Sequence, residues 1–375
     1  MSKPRARDLG VPFEGSPGQW NAITDVPGVE VGQATIIEEQ NLDGEHRPGI
    51  RTGITAILPR GKQYDPVFAA WYTLNGCGEM TGTTWIEESG FLESGILLTN
   101  TTSIGVAHDS AVIWAIDRLG INANSMRDLF WFLPVAGETA DGFLNGWTMA
   151  RISPDHVSAA LDSTAHGPVA EGNVGGGTGM MCHDFKGGNG TASRTVSLDG
   201  DAYTLGVLVQ ANYGDREDLT IAGVPVGKEI PDLMPISGRF PWAQSEGSIL
   251  VVVATDAPLL PHQLKRIARR VPLGIARMGG FGANSSGDLF LAFSTANPGA
   301  AHSQGLSKIE FLPNSQMNPL FQATIQATQE AITNTLVAAE TMDGPNGARV
   351  FALPHDRLQE ILKKYNRLLL GQNKY

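Results

Sequence analysis

The apolar run Ser248-Ile-Leu-Val-Val-Val-Ala254 is the feature that most constrains how this chain can fold. Its β-branched residues, bounded by turn-forming residues, predict a strand that is buried in the core. The preceding segment, Gly214 to Glu246, is rich in Asp, Glu, Gly and Pro and is typical of an exposed loop. Ser248 therefore stands where a loop enters the core, directly after Gly247.

The Gly247-Ser248 pair has the composition of a self-cleavage junction. If the peptide bond before Ser248 broke, one residue would carry both a nucleophilic hydroxyl and a free α-amine. The amine titrates near pH 8, so it could take the hydroxyl proton without a histidine. We expect Gly247 to supply backbone angles that other residues avoid. A Gly-Ser pair before a strand is also an ordinary turn, so the pair alone does not establish cleavage.

Length and charge limit the classes of protein to consider. The chain has 375 residues, 42% hydrophobic and 17% charged, which is enough for one large core or two domains. No linker or internal repeat divides it, so we predict one compact domain over residues 1–375. A net charge of −11 disfavours nucleic acids and anionic membranes as partners. The basic run Lys265 to Arg270 fits the solvated face of an amphipathic helix.

Cysteine and histidine usage predicts a cytoplasmic protein without a metal or cofactor. The two cysteines, Cys77 and Cys182, do not make a disulfide framework. The N-terminus has no apolar core of a secretory signal, and no stretch approaches 18 apolar residues. The eight histidines include no His-x-x-x-His pair, which disfavours a metal site.

Strands and helices alternate along the chain, which favours sheets packed with helices. The predicted strands are Thr55 to Leu58, Gly95 to Thr99, Tyr203 to Gln210, Ser248 to Ala254 and Asp288 to Ser294. The predicted helices are Asp109 to Leu119, Pro261 to Val271, Ala323 to Ala339 and Asp356 to Tyr365.

Two glycine-rich segments stand out. Gly172 to Gly179 resembles a phosphate loop but lacks its Gly-Lys-Ser/Thr ending, and the alternative is a tight loop approached closely by another segment. Gly279 to Gly287 leads into the last predicted strand. There Ser286 and Asp288, two residues apart, would share one strand face.

Other candidates for chemistry each have an ordinary alternative. No Gly-x-Ser-x-Gly elbow exists. Cys182-His183 could pair a thiol with a base, but neighbours on a strand point to opposite faces, so a buried structural cysteine is favoured. Glu138 is either an exposed loop carboxylate or an anchor for a substrate ammonium. Asn212 is either a turn residue or an oxyanion donor.

Several segments, in order along nearly the whole chain, resemble the self-processing DmpA-type L-aminopeptidase D-Ala-esterase/amidases and their β-aminopeptidase relatives. The resemblance implies an α+β fold, a four-layer αββα sandwich similar to N-terminal nucleophile hydrolases but with different connectivity. The matching segments are Asn21 to Gly32, Asn75 to Gly82, Leu98 to Ser103, Glu171 to Met180, Val209 to Gly214 and the pair Gly247-Ser248.

The resemblance also implies autoproteolysis into an α chain, Met1 to Gly247, and a β chain, Ser248 to Tyr375. Processed αβ units of this family form a homo-oligomer, usually of four units. Ser248 is the implied nucleophile. The implied base is its new amine or a relay of Ser286 and Asp288.

Three further positions take roles from the resemblance. Asn212 and the backbone NH of Gly287 are the implied oxyanion donors, and Glu138 is the implied clamp on the free amino group of the substrate. Ala140 departs from the bulky residue that we expect in many members, which affects the predicted size of the substrate pocket.

These observations favour a metal-free, exo-acting aminopeptidase that removes small N-terminal α- or β-amino acids from peptides, amides and esters. Three alternatives stay open. An acyltransferase like ornithine acetyltransferase shares the layered fold, although that family uses threonine where this chain has Ser248. A hydrolase of amide oligomers such as nylon fragments is the second. A glycine-rich scaffold that never cleaves is the third.

Overall fold

The computed structural model describes residues 3–42, 45–119, 133–145, 152–238, 247–302 and 305–369. The strands are β1 Glu30–Leu42, β2 Glu45–Lys62, β3 Val67–Gly76, β4 Phe91–Leu92, β5 Ile96–Asn100, β6 Val135–Thr139, β7 Met181–Cys182, β8 Phe185–Lys186, β9 Gly188–Leu198, β10 Asp201–Asn212, β11 Ile236–Ser237, β12 Ser248–Thr255, β13 Gly287–Ser294, β14 Met342–Asp343 and β15 Ala348–Val350. The helices are α1 Thr83–Ser89, α2 Ile104–Arg118, α3 Gly142–Asn145, α4 Pro154–Asp162, α5 Val226–Glu229, α6 Pro261–Ala268, α7 Val271–Ala276, α8 Asn318–Ala338 and α9 His355–Lys364.

Two sheets dominate the described part of the chain. One has four strands in the order β1-β2-β5-β6, and the other has six in the order β4-β3-β13-β12-β10-β9. In the larger sheet β12 runs parallel to β13, and both have antiparallel outer neighbours, β10 and β3. Each of the five predicted strands is present, as part or all of β2, β5, β10, β12 and β13.

The strand β12 lies between two apolar layers, which explains why its sequence is apolar without interruption. Ile249, Val251 and Val253 belong to the cluster that packs under α6, α7 and α8. Leu250 and Val252 belong to a second cluster, shared with β5 and β6 of the four-stranded sheet. A third cluster packs α2 and α4 on the outer face of that sheet. The layers therefore run helix, sheet, sheet, helix, and the predicted αββα arrangement is confirmed.

One predicted helix is divided in two. The sequence predicts a single helix from Pro261 to Val271, whereas α6 ends at Ala268 and α7 begins at Val271. Pro272 accounts for the break, because proline lacks the N–H that would continue the helix and its ring clashes with the preceding turn. In the described residues, no helix has the length and apolar content that a membrane span requires.

The segment before Ser248 is also more ordered than the predicted loop. It contains the helix α5 and the short strand β11, because Val226 and Ile230 are buried in the core. Residues 239–246 of the predicted loop lie outside the described residues.

The glycine run resembling a phosphate loop is a packing element. Gly175–Gly177 form a single 3-10 turn held between the two sheets. The N–H groups of Gly175 and Gly176 donate to the hydroxyls of Thr35 and Thr55, at 2.8 and 3.1 Å. A Cβ on Gly176 would lie 2.1 Å from the side-chain oxygen of Gln210. These N–H groups are already bonded within the protein, which supports the tight-loop alternative.

A buried ionic cluster ties the N-terminal segment to α8. Glu330 on α8 is fully buried and accepts hydrogen bonds from Arg7, Arg194 and Asn21 at 2.6 to 2.8 Å. Burial alone would raise the pKa of Glu330, but the two guanidinium groups and the Asn21 amide hold it below its ordinary value. The cluster stabilises contact between residues more than 300 positions apart in the chain.

Candidate active site

Ser248 is the first residue of β12 and stands at the end of the two central strands of the larger sheet. In register it faces Asn212, the last residue of β10. Its side chain is nearly buried, and its Oγ accepts a hydrogen bond of 3.0 Å from the backbone N–H of Gly287. Because β12 and β13 are parallel, the starts of both strands meet here, and the residues around Gly287 come against Ser248.

Ser286 and Asp288 form a hydrogen-bonded pair beside the Gly247-Ser248 bond. The Oγ of Ser286 lies 2.6 Å from a carboxyl oxygen of Asp288. The same Oγ contacts the carbonyl oxygen of Gly247. Burial raises the pKa of Asp288, and hydrogen bonds from Ser286, the Ile249 N–H and Asn75 only partly offset that rise.

A small cavity of about 20 Å³, which is room for about one water molecule, opens onto this pair. Gly247, Ser286 and Asp288 line it together with Tyr213 and Phe281. Phe281, at the edge of the cavity, is largely exposed to solvent, whereas Tyr213 is buried. Gly247, Ser286 and Asp288 therefore face a space that a water molecule can enter.

Gly247 is needed for a reason other than the one that the sequence predicts. Its φ lies outside the left-handed region, so special backbone angles are not what selects glycine. A Cβ on Gly247 would instead lie 1.8 Å from the carbonyl oxygen of Asn212, far inside any allowed contact. The close approach of the β10 backbone excludes a side chain at this position.

We expect Gly247→Ala to slow the self-cleavage that the sequence predicts at this junction by about 10²-fold, since a shift of about 1 Å in a reacting group has an effect of that size. The measurement is the fraction of cut chain against time by intact mass spectrometry. Gly76→Ala is the matched control, because Gly76 pairs with Gly287 at the same end of the sheet and an added Cβ there meets no atom within 4 Å. Equal cleavage in both variants would contradict the steric explanation.

Glu138 lies in the four-stranded sheet, on β6, and only 5% of its surface is exposed. Its carboxylate accepts hydrogen bonds from the hydroxyl of Thr101 and, at 3.0 Å, from the backbone N–H of Glu79. Burial raises its pKa more than these hydrogen bonds lower it. Within the described ranges no Lys or Arg forms an ion pair with it. A buried carboxylate in this state favours binding of a cation.

Gly78 connects the Glu138 side of the site to the Ser248 side. A Cβ on Gly78 would lie 3.5 Å from Oε1 of Glu138 and 3.1 Å from Cα of Gly287. Gly287 is the residue whose N–H contacts Ser248. The backbone of Gly78 thus lies between the Glu138 carboxylate and the residue that contacts Ser248.

Asn212 is oriented by two backbone groups. Its Oδ1 accepts from the N–H of Met181 at 2.8 Å, and its Nδ2 donates to the carbonyl of Ala140 at 3.0 Å. These partners fix which end of the amide is the donor. The amide carries two N–H bonds, so the second can donate to another acceptor.

The Cys182-His183 pair is structural. Both side chains are fully buried. Burial raises the pKa of the Cys182 thiol far above its ordinary value and lowers that of His183 to about 4. A neutral thiol beside a neutral imidazole does not supply a thiolate nucleophile, so the structural alternative is supported.

Comparison with known sequences decides the family. The sequence pattern of peptidase family S58 matches residues 21–350. The chain belongs to peptidase family S58.

Full-length relatives and solved structures agree with this assignment. The chain is 50% identical to the beta-peptidyl aminopeptidase BapA of Sphingosinicella microcystinivorans, over 97% of this chain and 93% of that protein. The L-aminopeptidase D-Ala-esterase/amidase of Ochrobactrum anthropi is 47% identical with a TM-score of 0.91, covering 98% of this chain and 100% of that one. A Burkholderia beta-aminopeptidase is 43% identical with a TM-score of 0.85, over 96% and 99% of the two chains.

The S58 protein is therefore an aminopeptidase, and its fold is a variant of the Ntn hydrolase fold, as described for the Ochrobactrum anthropi enzyme. The family resemblance, the fold class and the aminopeptidase activity predicted from sequence are confirmed. The individual roles of the site residues stay predictions.

The structure adds S58 site residues to which the sequence assigns no role. Thr101 holds the Glu138 carboxylate, and Asn75 accepts the N–H of Asp288 at 2.8 Å. Both lie in segments that match the family, which is the signal that could have found them. Lys186 is fully buried and donates to the carbonyls of Met180 and Gly187 at 2.6 and 2.9 Å. These bonds hold the backbone at Met180, and the N–H of the next residue, Met181, orients Asn212. Burial lowers the Lys186 pKa to about 7.

Proposed function

We propose that this S58 aminopeptidase cleaves its own chain between Gly247 and Ser248, and that the freed Ser248 then removes small N-terminal residues through an acyl-enzyme. One observation carries the proposal. The hydroxyl of Ser248 accepts a hydrogen bond from the N–H of Gly287, and the carbonyl of Gly247 accepts one from the hydroxyl of Ser286. The proposed nucleophile and the bond to be cut therefore lie in one cluster of hydrogen bonds.

In the proposed reaction the Ser248 hydroxyl attacks the carbonyl carbon that follows the first residue of the substrate. Its proton passes to the new α-amine or to the Ser286-Asp288 pair. Asn212 and the Gly287 N–H stabilise the negative charge on the carbonyl oxygen. The leaving amine takes a proton, and water then hydrolyses the ester on Ser248.

Glu138 supports recognition of a free N-terminus. The backbone of Gly78 lies between its buried carboxylate and the backbone of Gly287. The carboxylate accepts hydrogen bonds but has no charged partner, and a substrate ammonium group would provide one. We propose that β-amino acids such as β-alanine are accepted at the N-terminus, because beta-peptidyl aminopeptidases are among the relatives with about half of their residues identical. Ala140 leaves more room beside Asn212 than a bulky side chain would.

We further propose that the processed αβ units form a homo-oligomer and act in the cytoplasm. The resemblance to the self-processing DmpA-type enzymes, whose αβ units assemble, is what supports the oligomer. The cysteines Cys77 and Cys182 are both free, which fits a reducing compartment. The net charge of −11 supports small substrates rather than nucleic acids or anionic membranes as partners.

A set of three p-nitroanilides tests the proposed substrate class. We expect β-alanyl and L-alanyl p-nitroanilides to be hydrolysed in buffer alone. We expect N-acetyl-β-alanyl p-nitroanilide to react at least about 10²-fold more slowly, because it has no ammonium for Glu138. Release of nitroaniline, followed by absorbance, is the measurement. Equal rates for the free and acetylated substrates would contradict the exo-acting proposal, and a requirement for an added acyl acceptor would indicate a transferase.

A further inference from the structure

A fully buried lysine lies behind Asn212, the proposed oxyanion donor. Lys186 faces Met181 in the short hairpin of β7 and β8, and the turn between these strands, His183 and Asp184, has positive φ at both residues, as a type I′ turn requires. Among the ion pairs of the described residues, none includes Lys186. A buried ammonium without a carboxylate partner requires other hydrogen-bond acceptors.

The glycine run that resembles a phosphate loop provides two of these acceptors at its end. The Nζ of Lys186 donates to the carbonyls of Gly177 and Met180, at 3.3 and 2.6 Å, and to that of Gly187 at 2.9 Å. An ammonium carries three N–H bonds and a neutral amine only two, so three acceptors favour the ammonium. This loop therefore presents carbonyls to a cation, whereas a phosphate loop presents N–H groups to an anion.

One peptide unit joins Lys186 to Asn212. The Met180 carbonyl accepts from Lys186, and the N–H at the other end of the same peptide, that of Met181, donates to Oδ1 of Asn212 at 2.8 Å. Hydrogen bonds in such a chain polarise one another, so a cation at the start strengthens the donors that follow it. Nδ2 of Asn212 uses one hydrogen on the Ala140 carbonyl. The second hydrogen is the one that would face the oxyanion.

We propose that Lys186 is a positioning residue for substrate turnover, whose ammonium polarises the Met180–Met181 peptide and so strengthens Asn212 as a donor to the oxyanion. This inference rests on the oxyanion role of Asn212 stated under Proposed function. No proton or group is transferred by Lys186. Its charge acts through dipoles that are already oriented, which stabilise a developing negative charge without reorganisation.

The far end of the same row of hydrogen bonds is acidic. The Ala140 carbonyl, which accepts from Asn212 at 3.0 Å, belongs to the peptide whose N–H is bonded to the carboxyl of Asp141. Asp141 is nearly fully buried, and its carboxyl also accepts from the amide of Asn100 at 2.9 Å. The row therefore runs from Lys186 to an acid with every donor pointing the same way, which fixes the direction of the Asn212 amide.

The titratable groups that face Lys186 are Asp141, Lys3 and Cys182. Asp141 favours the ammonium form of Lys186. Lys3 disfavours it, but Lys3 is itself paired with Glu340 at 3.0 Å. Burial keeps Cys182 a neutral thiol and lowers the pKa of Lys186 to about 7. Lys186 is therefore charged in slightly acidic buffer.

The test is a double-mutant cycle on the cut enzyme, with kcat and KM for β-alanyl p-nitroanilide measured at about pH 6.5. We expect Lys186→Met to lower kcat about tenfold and to change KM by no more than about threefold, because the oxyanion exists only in the transition state. Asn212→Ala should lower kcat about 10²-fold. Adding Lys186→Met to Asn212→Ala should lower kcat by no more than about threefold further, because the polarised amide is already absent.

Two further variants separate the charge of Lys186 from its place in the fold. Lys186→Gln keeps two N–H bonds without a charge, so its kcat should fall nearly as far as that of Lys186→Met. Lys228→Met removes a lysine charge at an exposed position of α5 and should change kcat by no more than about threefold. Intact mass spectrometry should show every one of these chains cut at the junction, because the Gly247 carbonyl contacts Ser286.

Four results would overturn the inference. The first is a wild-type kcat in Lys186→Met, and the second is a wild-type kcat in Lys186→Gln. The third is a full tenfold further loss in the Asn212→Ala background, which would make the two residues independent. The fourth is an uncut chain in both Lys186 variants, which would make Lys186 a residue of the fold alone. If Asn212→Ala keeps the wild-type kcat, or the wild type stays uncut, the proposed function itself fails.

Discussion

Ser248→Ala is expected to yield a single uncut chain without aminopeptidase activity. Removing the Oγ takes away the group that accepts the Gly287 N–H and that would attack both the Gly247 carbonyl and the substrate. The expected loss of kcat is on the order of 10⁶-fold, as for loss of a serine nucleophile in other hydrolases. Intact mass spectrometry and release of nitroaniline from β-alanyl p-nitroanilide measure the two effects on one preparation.

Ser110→Ala is a matched control for that experiment. Ser110 is also buried, its hydroxyl has no hydrogen-bond partner among the described residues, and it lies on α2, on the outer face of the other sheet. We expect this variant to be cut and active. A Ser248→Ala chain that still separates into fragments ending at Gly247 and starting at residue 248 would show that another group cuts the junction.

Glu138→Gln is expected to separate substrate turnover from self-cleavage. The amide keeps the shape of the side chain and can bond to Thr101, but it has no charge for the substrate ammonium. Losing one partner of a buried charge pair costs about 2–5 kcal/mol, which predicts a fall in kcat/KM of at least about 30-fold. The Gly247 acyl group carries no free ammonium, so self-cleavage should proceed at the wild-type rate.

The pH dependence of this variant provides a second measurement. Because burial raises the pKa of Glu138, the wild-type carboxylate gains a proton at a higher pH than usual, and KM should rise as pH falls through that pKa. Glu138→Gln should lack this acid limb. Glu79→Gln is the control, since Glu79 is a neighbouring but exposed carboxylate and should change kcat/KM by no more than about threefold. An equal loss in both variants would contradict the ammonium clamp.

The strands could be predicted because their patterns are local. The run from Ser248 to Ala254 is apolar at every position after the serine, and the structure shows a layer on each of its two faces. The cluster around Glu330 could not be predicted in this way. Its partners Arg7 and Arg194 lie far away in the chain, and a charged residue in a helix is ordinarily expected on the surface.

In the site, too, local contacts could be predicted and contacts between distant segments could not. Ser286 and Asp288 lie two positions apart, and that spacing indicated the contact observed at 2.6 Å. The contact of Glu138 with Thr101 depends instead on two strands that pair in parallel, which no local pattern reveals. The prediction that position 247 needs glycine for its backbone angles was wrong. The requirement depends instead on where the Asn212 carbonyl lies after folding.

The strand order of the larger sheet limits when the proposed self-cleavage could occur. After cleavage at Ser248, β12 and β13 would belong to one product, while their neighbours β10 and β3 would belong to the other. Neither product alone contains a continuous version of this sheet, and the shorter one would have two unpaired strand edges. Ser286 and Gly287 reach the junction only when this sheet has formed. A free N-terminal serine would thus appear only in chains whose larger sheet has already formed. If the two products were synthesised separately, neither would have the neighbouring strands that this sheet requires, and we would expect little active enzyme.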